Sequence, residues 1–332
     1  PGYPATLSYT ATSSPGGLTG TGSASPITVT GFSAGVAYTF TVTATNDTGT
    51  GAASAASNSV TPVVNKELYT WGSGSNGQLG LGFAESVNVS SPTQVGSLIT
   101  WSKVSGAGRN AFSFAIKTDG TLWTWGLNTS GQLGTNDLLS RSSPVQIGAL
   151  TNWAEVSTNT LTSLAVKTDG TLWAWGLNNN GAVGNNNLSN PYVEVSSPIQ
   201  IGANTNWYKV AAGDGFSLAL KTDGTMWSWG KNDSFTGKLG QNDIIYRSSP
   251  TQIGSLTTWA VIAAGERVGL AVKTDGTIWT WGNQNFGRLG NNVSANAGVS
   301  SPIQIGALTN WSTPNLGSEG SFAIKTDGTL WG

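Results

Sequence analysis

A twelve-residue segment, residues 115–126, constrains the fold more than any other part of this sequence. It has the sequence AIKTDGTLWTWG, and near-copies recur at steps of about 50 to 54 residues, beginning at Ala165, Ala219, Ala271 and Ala323. In each copy Asp-Gly separates two arms in which apolar residues alternate with small or polar ones. This pattern predicts a β-hairpin closed by a type I′ turn, in which glycine supplies a positive φ. The fixed period predicts an array of repeated β units.

Each unit contains two further short segments with strand character. One begins at a tryptophan, first at Trp101, and the other has the pattern Ser-Pro-x-Gln-Val/Ile-Gly, first at Ser91. Four short strands per unit are typical of a β-propeller blade. The Trp-Gly strand occurs six times, whereas each of the other three strands occurs five times. We therefore predict an all-β fold with at least six four-stranded blades and a ring that is incomplete at Gly332.

The tryptophans follow the same repeat. All 15 fall on three positions of the unit, which is what packing between equivalent strands requires and argues against a special aromatic site. In the second hairpin arm Trp123 and Trp125 share a face, and in the first arm Ser113 and Ala115 share a face. We predict that the indoles of one blade cover the small Ser/Ala face of its neighbour.

The first 62 residues differ in composition and are rich in Ser, Thr, Ala and Gly. The clearest strand spans residues 37–46, where Tyr38, Phe40 and Val42 face one way and threonines the other. This segment, with ITV at 27–29 and SNSVTP at 57–62, resembles the later strands of a fibronectin type III domain, and Tyr38 matches its corner tyrosine. The resemblance implies a sandwich over residues 1–62 that lacks its first two strands at the N-terminal end. A linker at 63–66 and propeller repeats over 67–332 follow.

The repeats themselves resemble a second family. LYTWG at 68–72 with NGQLG at 76–80, and LWTWG at 122–126 with Asn128 and GQLG at 131–134, resemble the repeat of the regulator-of-chromosome-condensation family. The resemblance covers residues 66–332 and implies a β-propeller, usually of seven blades. Family members often carry His just before the first hairpin arm, but this chain has Phe112 and its equivalents there. Functions that use a polar group at this position are therefore not expected.

Composition excludes several kinds of chemistry. The chain has no His and no Cys, which excludes sites that use an imidazole or a thiolate. Its net charge of −1 gives no excess of positive charge with which to bind nucleic acid. The sequence contains no run of about 20 apolar residues, so we expect no membrane insertion. The repeated Lys-Thr-Asp-Gly segments are predicted to be turns rather than carboxylate sites. We predict no catalytic residue, cofactor or metal.

Loops that differ between units are the candidate binding residues, because a repeat scaffold can present loops that carry recognition. Two sets stand out, before the hairpin and before the Ser-Pro strand: Arg109, Asp214, Glu266 and Arg267, then Tyr192, Phe235, Tyr246, Arg247 and Phe286. Exposed aromatic rings beside polar groups would suit stacking on sugars or contact with a protein. The alternative is ordinary loop packing.

Three functional hypotheses follow. Fibronectin-like and Trp-rich propeller repeats with low charge resemble phage appendage or fibre proteins and bacterial surface proteins. The first hypothesis is therefore a non-enzymatic adhesion and display protein on a virion, outside the cell or at its surface, which binds a glycan or protein receptor and other appendage chains. The second is a polysaccharide-acting enzyme or its targeting module, which would need a close pair of carboxylates. The third is a nucleotide-exchange or chromatin role, which the near-neutral charge and absent His disfavour.

Overall fold

A computed structural model describes residues 7–62, 66–83, 87–107, 111–188, 193–233, 236–295, 297–317 and 320–332. The chain divides into two compact units, Pro1–Lys66 and Glu67–Gly332. Regular structure in the described residues is β-strand apart from two short 3₁₀ turns, Asn179–Gly181 and Asn285–Gly287. Within these ranges the chain forms no helix that is long and apolar enough to span a membrane.

The first unit is built on one antiparallel sheet. Its strands are β1 (Ser8–Ser14), β2 (Thr19–Gly22), β3 (Thr39–Asn46) and β4 (Gly49–Thr50), in the order β2-β1-β3-β4. Alternation along β3 places Phe40 and Val42 on one face, and Val42 lies opposite Ala11 of β1. The predicted strand at 37–46 therefore corresponds to β3, while Tyr38 pairs separately with Val60.

The second unit repeats one four-stranded sheet. It begins with the two-stranded sheet of β5 (Tyr69–Gly72) and β6 (Val89–Gln94). Its described four-stranded sheets are β7 (Trp101–Ala107), β8 (Phe112–Lys117), β9 (Leu122–Gly126) and β10 (Arg141–Gln146); β11 (Trp153–Thr158), β12 (Thr162–Lys167), β13 (Leu172–Leu177) and β14 (Glu194–Gln200); β15 (Trp207–Ala212), β16 (Phe216–Lys221), β17 (Met226–Gly230) and β18 (Arg247–Gln252); and β19 (Trp259–Ala264), β20 (Val268–Lys273), β21 (Ile278–Asn283) and β22 (Gly298–Gln304). A three-stranded sheet follows, with β23 (Trp311–Leu316), β24 (Ser321–Lys325) and β25 (Leu330–Trp331). We call the sheets that begin at β7, β11, β15, β19 and β23 blades 1 to 5.

The first strand of each blade is the innermost. These strands contact one another from blade to blade, β7 with β11, β11 with β15, and onward to β23. The last residues of these strands and the loops that follow them line a cavity of about 490 Å³, which we call the channel. Because the strands of a blade are antiparallel, the loops before the hairpin and before the outer strand share one edge, which we call the mouth face. The hairpin turns lie on the opposite edge, the turn face.

The hairpins form as predicted, but their turns are of another type. β8 and β9 pair directly, and Gly120 has a positive φ of 78°, whereas Asp119 does not. The N–H of Gly120 donates to Lys117 O, so the loop is a type I turn followed by a left-handed glycine. The predicted type I′ turn is wrong because the Asp119 carboxylate accepts hydrogen bonds from the N–H and hydroxyl of Thr121, at 2.9 and 2.6 Å. A Cβ on Gly120 would also lie 2.1 Å from Thr151 O of the neighbouring blade.

The indoles pack between blades, but against a different face from the one predicted. Trp229 and Ser217 are directly opposite in β17 and β16, so the small residue lies beside the indole on the same face of the same sheet. Trp229 is fully buried against Leu164 and Ala174 of the preceding blade. Its Nε1–H donates to Ala182 O at 2.9 Å. The Ser/Ala positions therefore make room for the indoles of their own blade, and the large aliphatic face of the neighbour covers them.

Candidate interaction site at the channel mouth

Charged side chains from three loops meet at the mouth face of blades 3 and 4. We call them the mouth cluster: Asp214, Lys231, Asp233, Lys238, Glu266 and Arg267. Asp214 follows β15, and its carboxylate accepts a hydrogen bond from Thr160 Oγ1 of blade 2 at 2.9 Å. Its backbone N–H donates to Gly265 O of blade 4 at 3.2 Å. Asp214 is therefore fixed from both neighbouring blades.

Lys238 lies beneath this loop and is buried. Its Nζ donates to Asp214 O at 2.5 Å and lies 5.2 Å from the ring centroid of Phe216. Burial lowers the pKa of Lys238 to about 8, although the carboxylates of Asp214 and Asp233 favour its charged form. A buried amine with a depressed pKa beside carboxylates is an arrangement found more often at functional sites than elsewhere.

Lys231 and Asp233 form an ion pair at the edge of the cluster, with Nζ and Oδ2 3.1 Å apart. Burial disfavours the charge of Lys231, but its hydrogen bond to Asp233 outweighs this effect and raises its pKa. Burial likewise opposes ionisation of Asp233, but Thr236 and Lys231 outweigh it and lower the pKa of Asp233. Both groups are therefore charged at neutral pH.

Glu266 and Arg267 complete the cluster in blade 4. Glu266 lines the channel together with residues of the inner strands. Arg267 is exposed, and its Nε lies 3.6 Å from Glu266 Oε1. The cluster thus presents carboxylates and cations in equal number, held by contacts that join adjacent blades.

The other candidate residues are not among the described members of this cluster. Arg109, Tyr192 and Phe235 fall outside the described residues. Arg247 pairs with Asp243 of its own loop at 2.5 Å, and its neighbour Tyr246 is half-buried. Phe286 is exposed, with the Arg288 guanidinium 5.1 Å from its ring centroid. Of the nine candidates, the structure brings Asp214, Glu266 and Arg267 together.

Lys238 was missed by the sequence analysis, although a signal exists. It occupies the Gln position of the Gly-Gln-Leu-Gly motif, where earlier units have Gln78 and Gln132. The backbone carbonyl of Lys238 keeps the role of that position, since it accepts a hydrogen bond from Trp281 Nε1 at 2.9 Å. Only the side chain departs from the repeat, and it turns toward the channel mouth.

At the turn face, the same inner strands carry a smaller charged group. The Glu155 carboxylate of β11 binds both Lys103 of β7 and Lys209 of β15, the latter at 2.8 Å. These residues occupy equivalent positions in three adjacent inner strands. The triad ties blades 1, 2 and 3 together at the turn face.

The repeated lysines and aspartates have structural roles. The Nζ of Lys221 lies 4.1 and 4.8 Å from the ring centroids of Trp227 and Trp207, and burial lowers the pKa of this lysine. Asp223 accepts hydrogen bonds from Thr225, which lower the pKa of its carboxyl. Among the residues that the structure describes, no group of three or more potential metal ligands occurs.

The repeated motif and the fold of four-stranded sheets together define a repeat protein of known class. Residues 66–113, 119–164, 169–220, 223–272 and 275–324 match the regulator of chromosome condensation (RCC1) repeat. These matches cover more than half of the chain, and the chain belongs to this family. The resemblance of the repeats to the regulator-of-chromosome-condensation family, predicted from the sequence, is thereby confirmed.

Similar proteins include the E3 ubiquitin-protein ligase HERC2 of Mus musculus, which is 29% identical over 275 residues, 80% of this chain and 6% of HERC2. The mitochondrial RCC1 domain-containing protein RUG3 of Arabidopsis thaliana is 27% identical over 281 residues, 81% of this chain and 61% of RUG3. The chain therefore spans less than two thirds of these relatives. The crystal structure of Prp20p from Saccharomyces cerevisiae has a TM-score of 0.69 and 23% identity, and covers 81% of this chain and 66% of Prp20p. It shares the all-β fold of antiparallel sheets.

These findings correct the functional expectations. The prediction of an adhesion and display protein of a virion or cell surface is wrong, as is its polysaccharide-acting alternative, because the matched proteins are eukaryotic RCC1-type proteins such as a ubiquitin ligase and a mitochondrial protein. A glycan receptor and other appendage chains are not supported as partners, since the Prp20p structure was described with binding to Gsp1p and histones. A virion or extracellular location is likewise overturned by the mitochondrial and other eukaryotic relatives.

Proposed function

We propose that the second unit of this chain is a non-enzymatic, protein-binding propeller of a regulatory protein, and that the mouth cluster contacts the partner. The proposal rests on the mouth cluster. Its loops differ between blades, whereas the hairpins, indoles and turn aspartates repeat. A side chain that breaks the repeat, is buried beside other charges and adjoins an open channel is a stronger candidate for recognition than one that recurs in every blade.

The balance of charge favours a particular kind of partner. The described mouth cluster contains three carboxylates and three cations, so it lacks the excess of one sign that would steer a highly charged ligand. Prp20p binds Gsp1p and histones. By analogy we propose a protein partner for this chain, and the neutral cluster favours a folded regulatory protein over a strongly basic one.

Removing the charges of Glu266 and Arg267 should weaken partner binding. We expect a protein from a eukaryotic extract to copurify in stoichiometric amount with the wild-type chain, and to bind Glu266→Gln/Arg267→Gln at least about tenfold more weakly, since arginine at an interface centre is often a hot spot. The measurement is affinity purification with quantitative mass spectrometry, followed by titration of the purified partner.

Lys209→Gln, at the turn face, is the matched control and should leave binding unchanged. Loss of binding in Lys209→Gln with none in the Glu266→Gln/Arg267→Gln variant would refute the assignment to the mouth face. Failure of the wild-type chain to retain any protein would refute protein binding itself.

Two finer features of the fold also belong to this proposal. We propose that the first unit is a fibronectin type III-like sheet, because buried Tyr38 accepts a hydrogen bond from Ser33 N at 3.1 Å, as a corner tyrosine does. The propeller has at least six blades, because β5 and β6 occupy the third and fourth strand positions and blade 5 has the first three. A structure of the full-length polypeptide would count the blades, and five blades or an unrelated first domain would refute these assignments.

A further inference from the structure

Two of the described loops on the mouth face are closed by the same ion clamp. They are residues 137–141 in blade 1, which we call hook 1, and residues 243–247 in blade 3, which we call hook 3. In hook 3 the Asp243 carboxylate binds the Arg247 guanidinium at 2.5 Å and accepts the N–H of Ile245 at 2.9 Å. A second guanidinium N–H of Arg247 donates to Ile245 O at 3.0 Å. One aspartate and one arginine thus close a loop of five residues.

Hook 1 repeats this geometry with different side chains. Asp137 binds Arg141 at 2.6 Å and accepts the N–H of Leu139 at 3.1 Å, and Arg141 donates to Leu139 O at 2.8 Å. Burial opposes ionisation of Asp137, but its hydrogen bonds from Thr135, Leu139 and Arg141 outweigh this effect and lower its pKa. The clamp is therefore ionised at neutral pH.

A buried asparagine anchors each hook to its blade. Asn128 Nδ2 donates to Asp137 O at 3.0 Å, and Asn232 Nδ2 donates to Asp243 O at 2.9 Å. Both asparagines are fully buried. Each hook is consequently fixed at its base and across its neck, so its tip is held in one conformation before any partner arrives.

The clamped tips expose aliphatic side chains. Leu138 and Leu139 of hook 1 are 46% and 65% exposed, and Ile244 and Ile245 of hook 3 are 51% and 60% exposed. Single exposed leucines are ordinary on protein surfaces, but two adjacent ones held rigidly at two equivalent sites are not. The charges of each hook neutralise one another, which leaves the tip apolar and without net charge.

The preceding blade extends each apolar tip. Next to hook 3, a Cβ on Gly181 would lie 3.1 Å from Leu188 Cδ2 and 2.8 Å from Arg247 O, so exposed Leu188 lies beside the clamp. Next to hook 1, exposed Phe83 and Val87 line a small cleft together with Ser142. The same composite surface is therefore built twice, on alternate blades.

The hooks are continuous with the mouth face. Arg247 lies opposite Gly230, which lies opposite Phe216, the residue just after the loop of Asp214. We propose that hooks 1 and 3 insert into two apolar, uncharged pockets on the folded protein partner of the mouth face. This inference rests on the proposed function and specifies the chemistry of the partner. An exposed aliphatic tip fits an apolar pocket, and the internal ion pairs require no opposite charge across the interface. Anionic lipid is disfavoured as the binding partner because the arginine of each hook already pairs with the aspartate of the same hook.

The test places a photoreactive benzoylphenylalanine at residue 139 or 245 of the full chain, with residue 308 on the turn face as control. We expect crosslinks from 139 and 245 to the same protein, and none from 308. With that protein purified, Leu138→Ser/Leu139→Ser and Ile244→Ser/Ile245→Ser should each bind about tenfold to hundredfold more weakly. The similarly exposed pair Leu256→Ser/Leu308→Ser, on the turn face, should bind normally.

The results that would contradict this inference can be told apart from those that would contradict the proposed function. Equal binding by the hook variants and wild type would overturn this inference and leave the proposed function standing, whereas the absence of any partner of the wild type would overturn both. Crosslinks from 139 and 245 to different proteins, or flotation of the chain with phosphatidylserine vesicles, would also overturn it. Thermal unfolding of the variants should match that of the wild type, because substitutions of exposed loop side chains rarely change stability.

Discussion

Replacing Trp229 by alanine is expected to lower the free energy of unfolding by about 3–5 kcal/mol. The indole is fully buried between blades 2 and 3, and its Nε1–H is satisfied by Ala182 O at 2.9 Å. Alanine would leave a cavity against Leu164 and Ala174 and would also leave that carbonyl with fewer donors. Urea unfolding followed by circular dichroism measures the change.

Trp71 provides the matched control, because it occupies the same position of the repeat but is 61% exposed. Trp71→Ala should cost less than about 1 kcal/mol, since surface substitutions are usually mild. Trp229→Phe keeps an aromatic ring and should fall between the two. If Trp229→Ala and Trp71→Ala destabilised the protein equally, burial between blades could not be the role of the indole.

Replacing Lys238 by methionine should change how stability depends on pH. Burial lowers the folded-state pKa of Lys238 from 10.5 to about 8, so between these values the unfolded chain binds more protons than the folded chain. Stability contributed by this group therefore rises with pH from about 8 to 10.5, by up to about 3 kcal/mol, and is constant below pH 8. Lys238→Met should lack this rise in urea unfolding measured from pH 7 to 10.

Lys231→Met is the control for this experiment. The pKa of Lys231 is raised, so any stability it contributes is fully present below its ordinary pKa and is lost only at higher pH. The difference between wild type and Lys231→Met should therefore stay constant from pH 7 to 9. If the free energies of unfolding of the wild type and of Lys238→Met changed in parallel from pH 8 to 10, burial would not be lowering the pKa of Lys238.

Periodicity made the strands predictable. Trp, Gly and Asp recur at fixed positions, and the alternation within each arm determined which residues share a face. The turn type was not predictable, because Asp-Gly suits both a type I′ turn and the observed turn, and the choice depends on hydrogen bonds from Thr121 to Asp119. The packing partner of each indole could not be predicted from the sequence either. Ser217 and Trp229 could be placed on faces, but which faces meet depends on how blades are oriented around the channel.

The candidate site was partly predictable for a related reason. Asp214, Glu266 and Arg267 stand out as differences between loops of equivalent position. Lys238 lies in a motif whose backbone role is unchanged, so its altered side chain was overlooked. The hooks combine Asp243 with Arg247 four residues later, and that pairing becomes recognisable only when the loop closes. The adhesion hypothesis rested on composition and on analogy between folds, which do not specify a ligand.

Hydrogen exchange of the chain with and without its copurified partner tests the central claim most directly, because it locates the contact surface without any substitution. If the mouth face binds the partner, amides in the loops at 213–215 and 265–267 should gain protection, while the Thr-Asp-Gly turns at 118–120 and 222–224 should exchange as in the free chain. Protection confined to the turns, with none at the mouth loops, would contradict the assignment of the mouth face as the binding surface.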